Sequence, residues 1–303
     1  MSEWSLSALV LDQVSVFVPS LLATVGSFAS MLVLAKLAAR RRGEKREGPP
    51  PPELKVDFFW WMINPVGRVI SRIVILGIVM GTMFVIGREF HPSIFDGFGP
   101  VMEQPYWLMM VELFILTDLT SYWSHRLCHT VPALWKFHAI HHSPKMVRWT
   151  STARLHPVNE LITYCSNILP AIALGFPAYA LGPMIPIIAT YAAYSHSKWN
   201  HSLGPLRFIF TGPLYHRWHH THTHEGGNKN FSGVFSFWDL MFGTYYMPKG
   251  KVPEVFGLDG EEMPEDFVTQ LMYPFRKSPT EQAASELSRR EGTSSVNPIS
   301  AAE

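Results

Sequence analysis

LITYCSNILPAIALGFPAYALGPMIPIIATYAAY, residues Leu161 to Tyr194, is 34 residues long and carries no charge. One membrane-crossing helix takes about 20 apolar residues. Gly175, Pro177, Gly182, Pro183 and Pro186 interrupt this stretch, so it reads as a tight helical hairpin that enters a membrane and returns. Both ends then lie on one side of the bilayer. That brings the segments His125–His156 and His196–His224 to the same face, whereas a single span would separate them.

Three further stretches extend this reading. Val14 to Ala39 is nearly free of charge apart from Lys36, Val66 to Gly87 is apolar after Arg68 and Arg72, and Pro105 to Trp123 is interrupted by Glu112 and Asp118. Between the first two runs Arg40-Arg41-Arg42-Gly-Glu-Lys45-Arg46, followed by Pro49 to Pro52. Basic loops stay in the cytoplasm, so the chain crosses outward after this linker, turns in the breaker-rich loop His91–Gln104, and returns just before His125. The expected fold is all-α: a polytopic integral membrane protein of about three spans plus a helical hairpin, with a cytoplasmic histidine-rich helical cap. The expected organisation is an anchor helix over 1–39, a basic, Pro-rich linker over 40–57, a core over 58–250 and a C-terminal segment over 251–303, disordered from about 278. Glu3 and Asp12 precede the first apolar run, and no basic segment opens it, which fits an uncleaved anchor.

The composition sets outer bounds. With 47% hydrophobic and 16% charged residues the chain suits a small membrane protein, and a net charge of +1 argues against a nucleic-acid binder. Cys128 and Cys165 provide no disulfide framework and read as small buried side chains.

Thirteen of the 14 histidines lie between His125 and His224. Eight form three clusters: His125 and His129; His138, His141 and His142; His216, His219 and His220. Residues three and four apart share a helix face, while adjacent ones diverge by roughly 100°. Each cluster can therefore aim two imidazoles at one point, and each His-His pair can serve two different ions. With His196 and His201 after the hairpin, the set offers up to ten ligands, enough for two metals. Imidazole suits zinc, copper, iron and nickel alike, and neither a His-Glu-x-x-His nor a Glu-x-x-His motif is present. Asp118, Tyr122, His125 and His129 fall within about 60° of one another on a helix of 3.6 residues per turn. Asp118 is thus the candidate to brace a ligating imidazole, with Tyr122 a possible hydrogen-bond partner of the centre or a core residue. His201, His156 and His222 are candidates for metal ligands or for the surroundings of the site, His224 for the surroundings, His156 also as a helix cap, and His91 falls on the opposite face.

These clusters, together with Asp118-Leu-Thr-Ser-Tyr122-Trp-Ser-His125-Arg126, Arg154-Leu-His156-Pro157, Asn228-Lys229-Asn230-Phe231 and Trp238-Asp239-Leu-Met-Phe242-Gly243-Thr244, resemble the fatty acid hydroxylase and sterol desaturase superfamily. The resemblance runs from roughly Trp107 to Pro248. It implies a membrane enzyme whose histidine-bound di-iron centre, two Fe ions, uses O₂ and external electrons to hydroxylate or desaturate a lipid. It implies His125, His129, His138, His141, His142, His216, His219 and His220 as ligands, with His196 a ninth.

No dinucleotide fingerprint is visible, so the electrons are expected from a partner, a cytochrome b5-like or ferredoxin-like donor with its reductase. Two other classes share the histidine signature: a membrane zinc- or nickel-binding transport protein, and a zinc-dependent lipid hydrolase. Transport calls for ionisable ligands near mid-membrane, and a hydrolase calls for a glutamate base within a cluster.

Overall fold

A computed structural model describes residues 53–276 apart from positions 90 and 261, with scattered positions between 21 and 41. The expected anchor helix and C-terminal tail lie largely outside the described residues. Among the described residues every regular element is helical.

Helix α1 runs from Glu53 to Val85, 33 residues. At 1.5 Å per residue it is about 50 Å long, more than the roughly 30 Å of a hydrocarbon core. Among the described residues it is the one helix apolar and long enough to cross a membrane, with a mean hydropathy of 1.9 in a window only 17% buried. An apolar helix so little covered by its own protein is unlike the core helix of a soluble domain. The expected span from Val66 is therefore the outer part of a longer element, whose first turns, with Asp57, Trp60 and Trp61 buried, belong to the base of the fold.

Helix α2, Tyr106–Thr130, joins the expected span Pro105–Trp123 to the first histidine cluster without a break. It does not qualify as a span by the same measure, because Glu112, Asp118, His125, Arg126 and His129 dilute its apolar residues. Helix α3, Pro132–His142, follows after Val131, with Pro132 fixing its first turn.

The charge-free stretch Leu161–Tyr194 resolves into two helices, α4 (Pro157–Ala173) and α5 (Met184–Ser195). The break is enforced at Gly175, which has φ of +89° and sits against the Phe98 carbonyl where a Cβ would collide. Any other residue there would be strained. The turn is anchored by Phe176, Ala180 and Met184 packing on Met109 and Leu113 of α2. Helix α4 lies against both α1 and α2, whereas α5 leans on the 3-10 turn Trp149–Ala153 and on helix α6, Pro213–His219. Two short helices follow, α7 (Phe237–Met241) and α8 (Phe267–Met272).

The base of α1 aims α3. On α3, His141, His138 and His142 lie at about −60°, 0° and +40°, and Ile140 at about 200°. Ile140 is fully buried against Val56 and Trp60 of α1, with Phe267 and Leu271 of α8 beside them. Burying such a side chain contributes about 1.5–3 kcal/mol, and it turns the three histidines to the opposite side. Trp60 Nε1 donates to Gln270 Oε1 at 2.9 Å, which ties the C-terminal helix to the same point. Below it, Arg154 Nε donates to Asp57 Oδ1 at 2.5 Å in a pair only 3% and 2% exposed. Thr150 also donates to Asp57, and the Arg154 guanidinium reaches Ser143 and the Glu53 carbonyl. The Arg154 motif therefore fastens α1 to the residue that follows His142.

Candidate metal centre

Nine histidines converge where the ends of α2, α3, α5 and α6 meet, and they sort into two groups. His125, His129, His138, His142 and His219 form one; His141, His196, His216 and His220 form the other. Within each group the candidate ligand nitrogens lie within 4.8 Å of one another. The adjacent pairs His141/His142 and His219/His220 are both split between the groups, as the 100° divergence of neighbours on a helix requires.

The nitrogens are spaced for a shared ion. His125 Nε2 lies 3.1 Å from His138 Nε2, and His196 Nε2 lies 3.2 Å from His141 Nε2 and 3.1 Å from His216 Nε2, which is itself 3.1 Å from His220 Nε2. Two donors bound to one ion at about 2.1 Å stand about 3.0–3.4 Å apart. His142 Nε2 and His219 Nε2 are buried and without a hydrogen-bond partner, a costly state that a bound cation relieves. Burial, reinforced by neighbouring imidazoles, holds the pKa of His129, His138, His141, His142, His216, His219 and His220 well below the usual 6.5. Burial likewise lowers His125, against the opposing bond to Phe231, and brings His196 down to about 4. The rings are thus neutral at pH 7 with their lone pairs free to ligate.

Ring orientation comes mostly from the backbone. His125 Nδ1 donates to the Phe231 carbonyl at 2.7 Å, His219 Nδ1 to the Lys229 carbonyl at 2.7 Å, and His196 Nδ1 to the Ala192 carbonyl at 2.8 Å. Carbonyls only accept, so each Nδ1 carries the proton and Nε2 faces the group. His138 Nδ1 is held at 2.9 Å by Asn159 Oδ1. Asn159 was invisible to sequence reasoning because it lies 21 residues from its partner, and carbonyl acceptors carry no residue signature at all.

The structure gives Asp118 other partners than a histidine. Its oxygens accept from the Val234 and Phe235 amides, both at 2.9 Å, and from Trp238 Nε1 at 3.0 Å. It lies two turns before His125 on α2, level with the 233–238 loop, and its bonds lock that loop to the helix. Tyr122 is fully buried in a cluster with Phe231 and Trp238. Arg126 donates to its hydroxyl at 3.1 Å, and the hydroxyl donates to Thr244 Oγ1 at 2.8 Å, since Thr244 donates to Asp239 Oδ1 at 2.7 Å. Asp239, with no exposure, also accepts from the Phe231 amide at 2.8 Å, the Ser232 amide at 2.9 Å and the Tyr215 hydroxyl. The segment 229–232 is therefore clamped from both sides: its carbonyls hold His219 and His125 and its amides are held by Asp239.

The described remaining candidates, His156, His201 and His222, stand outside both groups, and the side chain of His224 lies outside the described residues. His156 caps α4, its Nδ1 accepting from the Val158 amide at 3.1 Å, and burial brings it down to about 4. His201 is exposed and bonded to the Tyr194 hydroxyl at 2.8 Å. His222 lies 3.7 Å from Asp259. Among the described residues, no carboxylate or thiolate joins either histidine group.

Residues 110–244 match the fatty acid hydroxylase family. The chain is 30% identical over 175 residues to ornithine lipid hydroxylase OlsE of Rhizobium tropici, covering 58% of this chain and 53% of that protein. It is 33% identical over 145 residues to alkylglycerol monooxygenase of Homo sapiens, covering 48% and 32% respectively. To very-long-chain aldehyde decarbonylase GL1-8 of Oryza sativa subsp. indica it is 25% identical over 158 residues, covering 50% and 58%. The chain thus spans about half of the first of these relatives and a third of the second. No solved structure matches.

Proposed function

We propose, from the match of residues 110–244 to the fatty acid hydroxylase family, that this protein is a membrane-bound non-haem di-iron oxidoreductase acting on a lipid. It would use O₂ and two external electrons to hydroxylate or desaturate an unactivated C–H bond. The observation that carries the reading is the division of nine histidines, seven buried and two half-buried, into groups of five and four. One iron would be held by His125, His129, His138, His142 and His219, the other by His141, His196, His216 and His220.

Breaking an alkyl C–H bond lies beyond any side-chain acid or base, and a redox metal pair supplies that chemistry when bound. The chain's own residues bind and orient. Phe231, Lys229 and Ala192 carbonyls and Asn159 fix the imidazole planes, and the buried surroundings keep bulk water away. Neutral imidazoles cannot offset the charge of two cations, so two irons held by these nine histidines would need anionic donors from outside the grouped residues. The relatives named for hydroxylation of ornithine lipids and oxidation of alkylglycerols support a lipid as the substrate class. The apolar α1 and the basic run Arg40–Arg46 support a membrane location with the histidine cap on the cytoplasmic side, where a cytochrome b5-like or ferredoxin-like donor would dock. A zinc lipid hydrolase is disfavoured by the lack of a carboxylate base among the grouped residues.

Iron analysis and oxygen uptake test this. Protein reconstituted with ferrous iron should hold two irons per chain and consume O₂ only with a reductant and a lipid extract, yielding a lipid that has gained one oxygen or lost two hydrogens. Far fewer than two irons, together with no lipid-dependent uptake, would overturn it.

A further inference from the structure

We infer that the 3-10 turn Gly204–Phe208 with the two residues after it, and the end of α7, form a second hydrocarbon-contacting surface of this protein, a membrane rim beside the metal centre. The inference rests on the membrane reading above and adds to it where, other than at α1, lipid meets the fold.

Leu206, Phe208, Ile209 and Phe210 on the first segment and Leu240 and Met241 on the second are all exposed, Leu206 by 54% and Met241 by 65%. Six large apolar side chains on two neighbouring segments exceed the scattered exposure normal for a protein surface. The two segments are neighbours because the Ser236 amide donates to the Ile209 carbonyl at 3.0 Å and Ser236 Oγ to the Arg207 carbonyl at 2.7 Å.

Three observations select hydrocarbon as the occupant. The first is depth. The loop between the segments is pinned by Asp118, residue 13 of the 25 in α2, and Phe235 sits 5.7 Å from both Phe114 of α2 and Phe210. Asp118 is seven residues before His125, about 10 Å along the helix, so the Phe210 side of the rim is level with the middle of α2, while the end of α7, beside Trp123, lies nearer its histidine end.

The second is continuity. Along α2 the outward side chains Val111, Ile115, Trp123 and Leu127 are exposed as well, and Trp123 lies 4.9 Å from Phe242, the residue after Met241. The rim therefore continues the apolar outer side of α2.

The third is backbone satisfaction. Irregular backbone survives at membrane depth only when its polar groups have partners within the protein. Here the Val234 and Phe235 amides donate to Asp118, the Thr211 amide to the Val234 carbonyl at 2.8 Å, and the Phe210 amide to the Leu206 carbonyl at 2.8 Å. A buried carboxylate spent on loop amides has this explanation, whereas a loop in water would need none. Arg207, the one charge in the rim, holds its guanidinium over the Phe208 ring at 4.8 Å, a cation–π contact within the protein.

Nitroxide labels report the occupant directly. Single cysteines at Phe208, Met241, Ile78 and Lys249 would be placed in the iron-loaded full chain carrying Cys128→Ser and Cys165→Ser, in vesicles of phosphatidylcholine and phosphatidylglycerol. Collision with lipid-soluble O₂ is then compared with collision with a water-soluble nickel chelate. The expected result is a ratio at 208 and 241 equal to that at 78 on α1 and inverted relative to 249. A water-like ratio at 208 and 241 with a lipid-like ratio at 78 overturns the rim while leaving the membrane reading intact. Exclusion of both reagents at 208 and 241 also overturns it, since a second copy or a protein partner then covers the surface. A water-like ratio at 78 removes the membrane reading and the rim together. Should the cysteine-free background misfold, a benzophenone amino acid at 208 or 241 in the otherwise unaltered chain reads the same contact as lipid adducts on irradiation; adducts to protein alone overturn the rim.

Discussion

His125 Nδ1 lies 2.7 Å from the carbonyl oxygen of Phe231, 106 residues further along the chain. This bond gives the closing motif around Asn230 a purpose that packing alone would not. Asn230 itself adopts φ of +60° and bonds to the Tyr215 and Tyr246 carbonyls, and the carbonyls on either side of it face His219 and His125.

Asp239→Asn should weaken the centre without touching a ligand. An amide puts N–H donors where four donors already converge, at a cost of about 1–3 kcal/mol for each group left unsatisfied. Thermal unfolding of the metal-loaded protein should shift down, and chelator competition should show weaker metal retention. Unchanged retention in a folded variant would show that the Phe231 and Lys229 carbonyls hold their place without Asp239.

Asn159→Leu removes the acceptor on His138, and outer partners of this kind commonly carry 10–100-fold in metal affinity, so a loss of about that size is expected. Asn159→Asp keeps an acceptor oxygen and should recover most of it. Equal behaviour of the two variants in a chelator titration would count against the orienting role.

His129→Ala and His216→Ala address different groups. Each single variant should lower the bound metal toward one ion per chain, and the double variant should bring it toward none. Loss of both ions in either single variant would mean that the groups load as one unit.

Acid should destabilise the metal-free protein. The nine imidazoles have folded pKa values below 6.5, His196 at about 4, so below 6.5 the unfolded chain binds more protons than the folded one. Their contribution is present above about pH 6.5 and is lost as pH falls from there toward 4. Melting curves between pH 8 and 5 should show midpoints that fall below about pH 6.5; a flat profile would contradict it.

Arg154→Met leaves Asp57 buried without its counter-charge, a change that costs about 3–5 kcal/mol. Adding Asp57→Asn should recover much of the loss, which a double-mutant cycle on chemical unfolding can measure.

Much of this was legible from residue order. Breakers at Gly175 and Pro177 announced the turn between α4 and α5, because positive φ and a missing N–H are local properties. The i, i+3, i+4 spacing of the histidines announced the clusters, and the divergence of adjacent pairs announced their split between two groups, because helix geometry converts spacing into direction. Asp118 was legible as a costly buried charge, but its partner was not. Two turns separate it from His125, and only the docking of the 233–238 loop decides that its oxygens meet amides and not imidazoles.

By itself, then, the sequence determined helical elements, their breaks and a histidine set suited to two metals, since each follows from interactions within a few residues. Tertiary structure alone decided the five-and-four division, the carbonyls and Asn159 that orient the rings, and the extension of α1 into the base of the fold. Apart from the Ala192 carbonyl, four residues before His196, and the Lys229 carbonyl, ten after His219, those depend on groups brought together across as many as 106 residues, where no local pattern records the pairing.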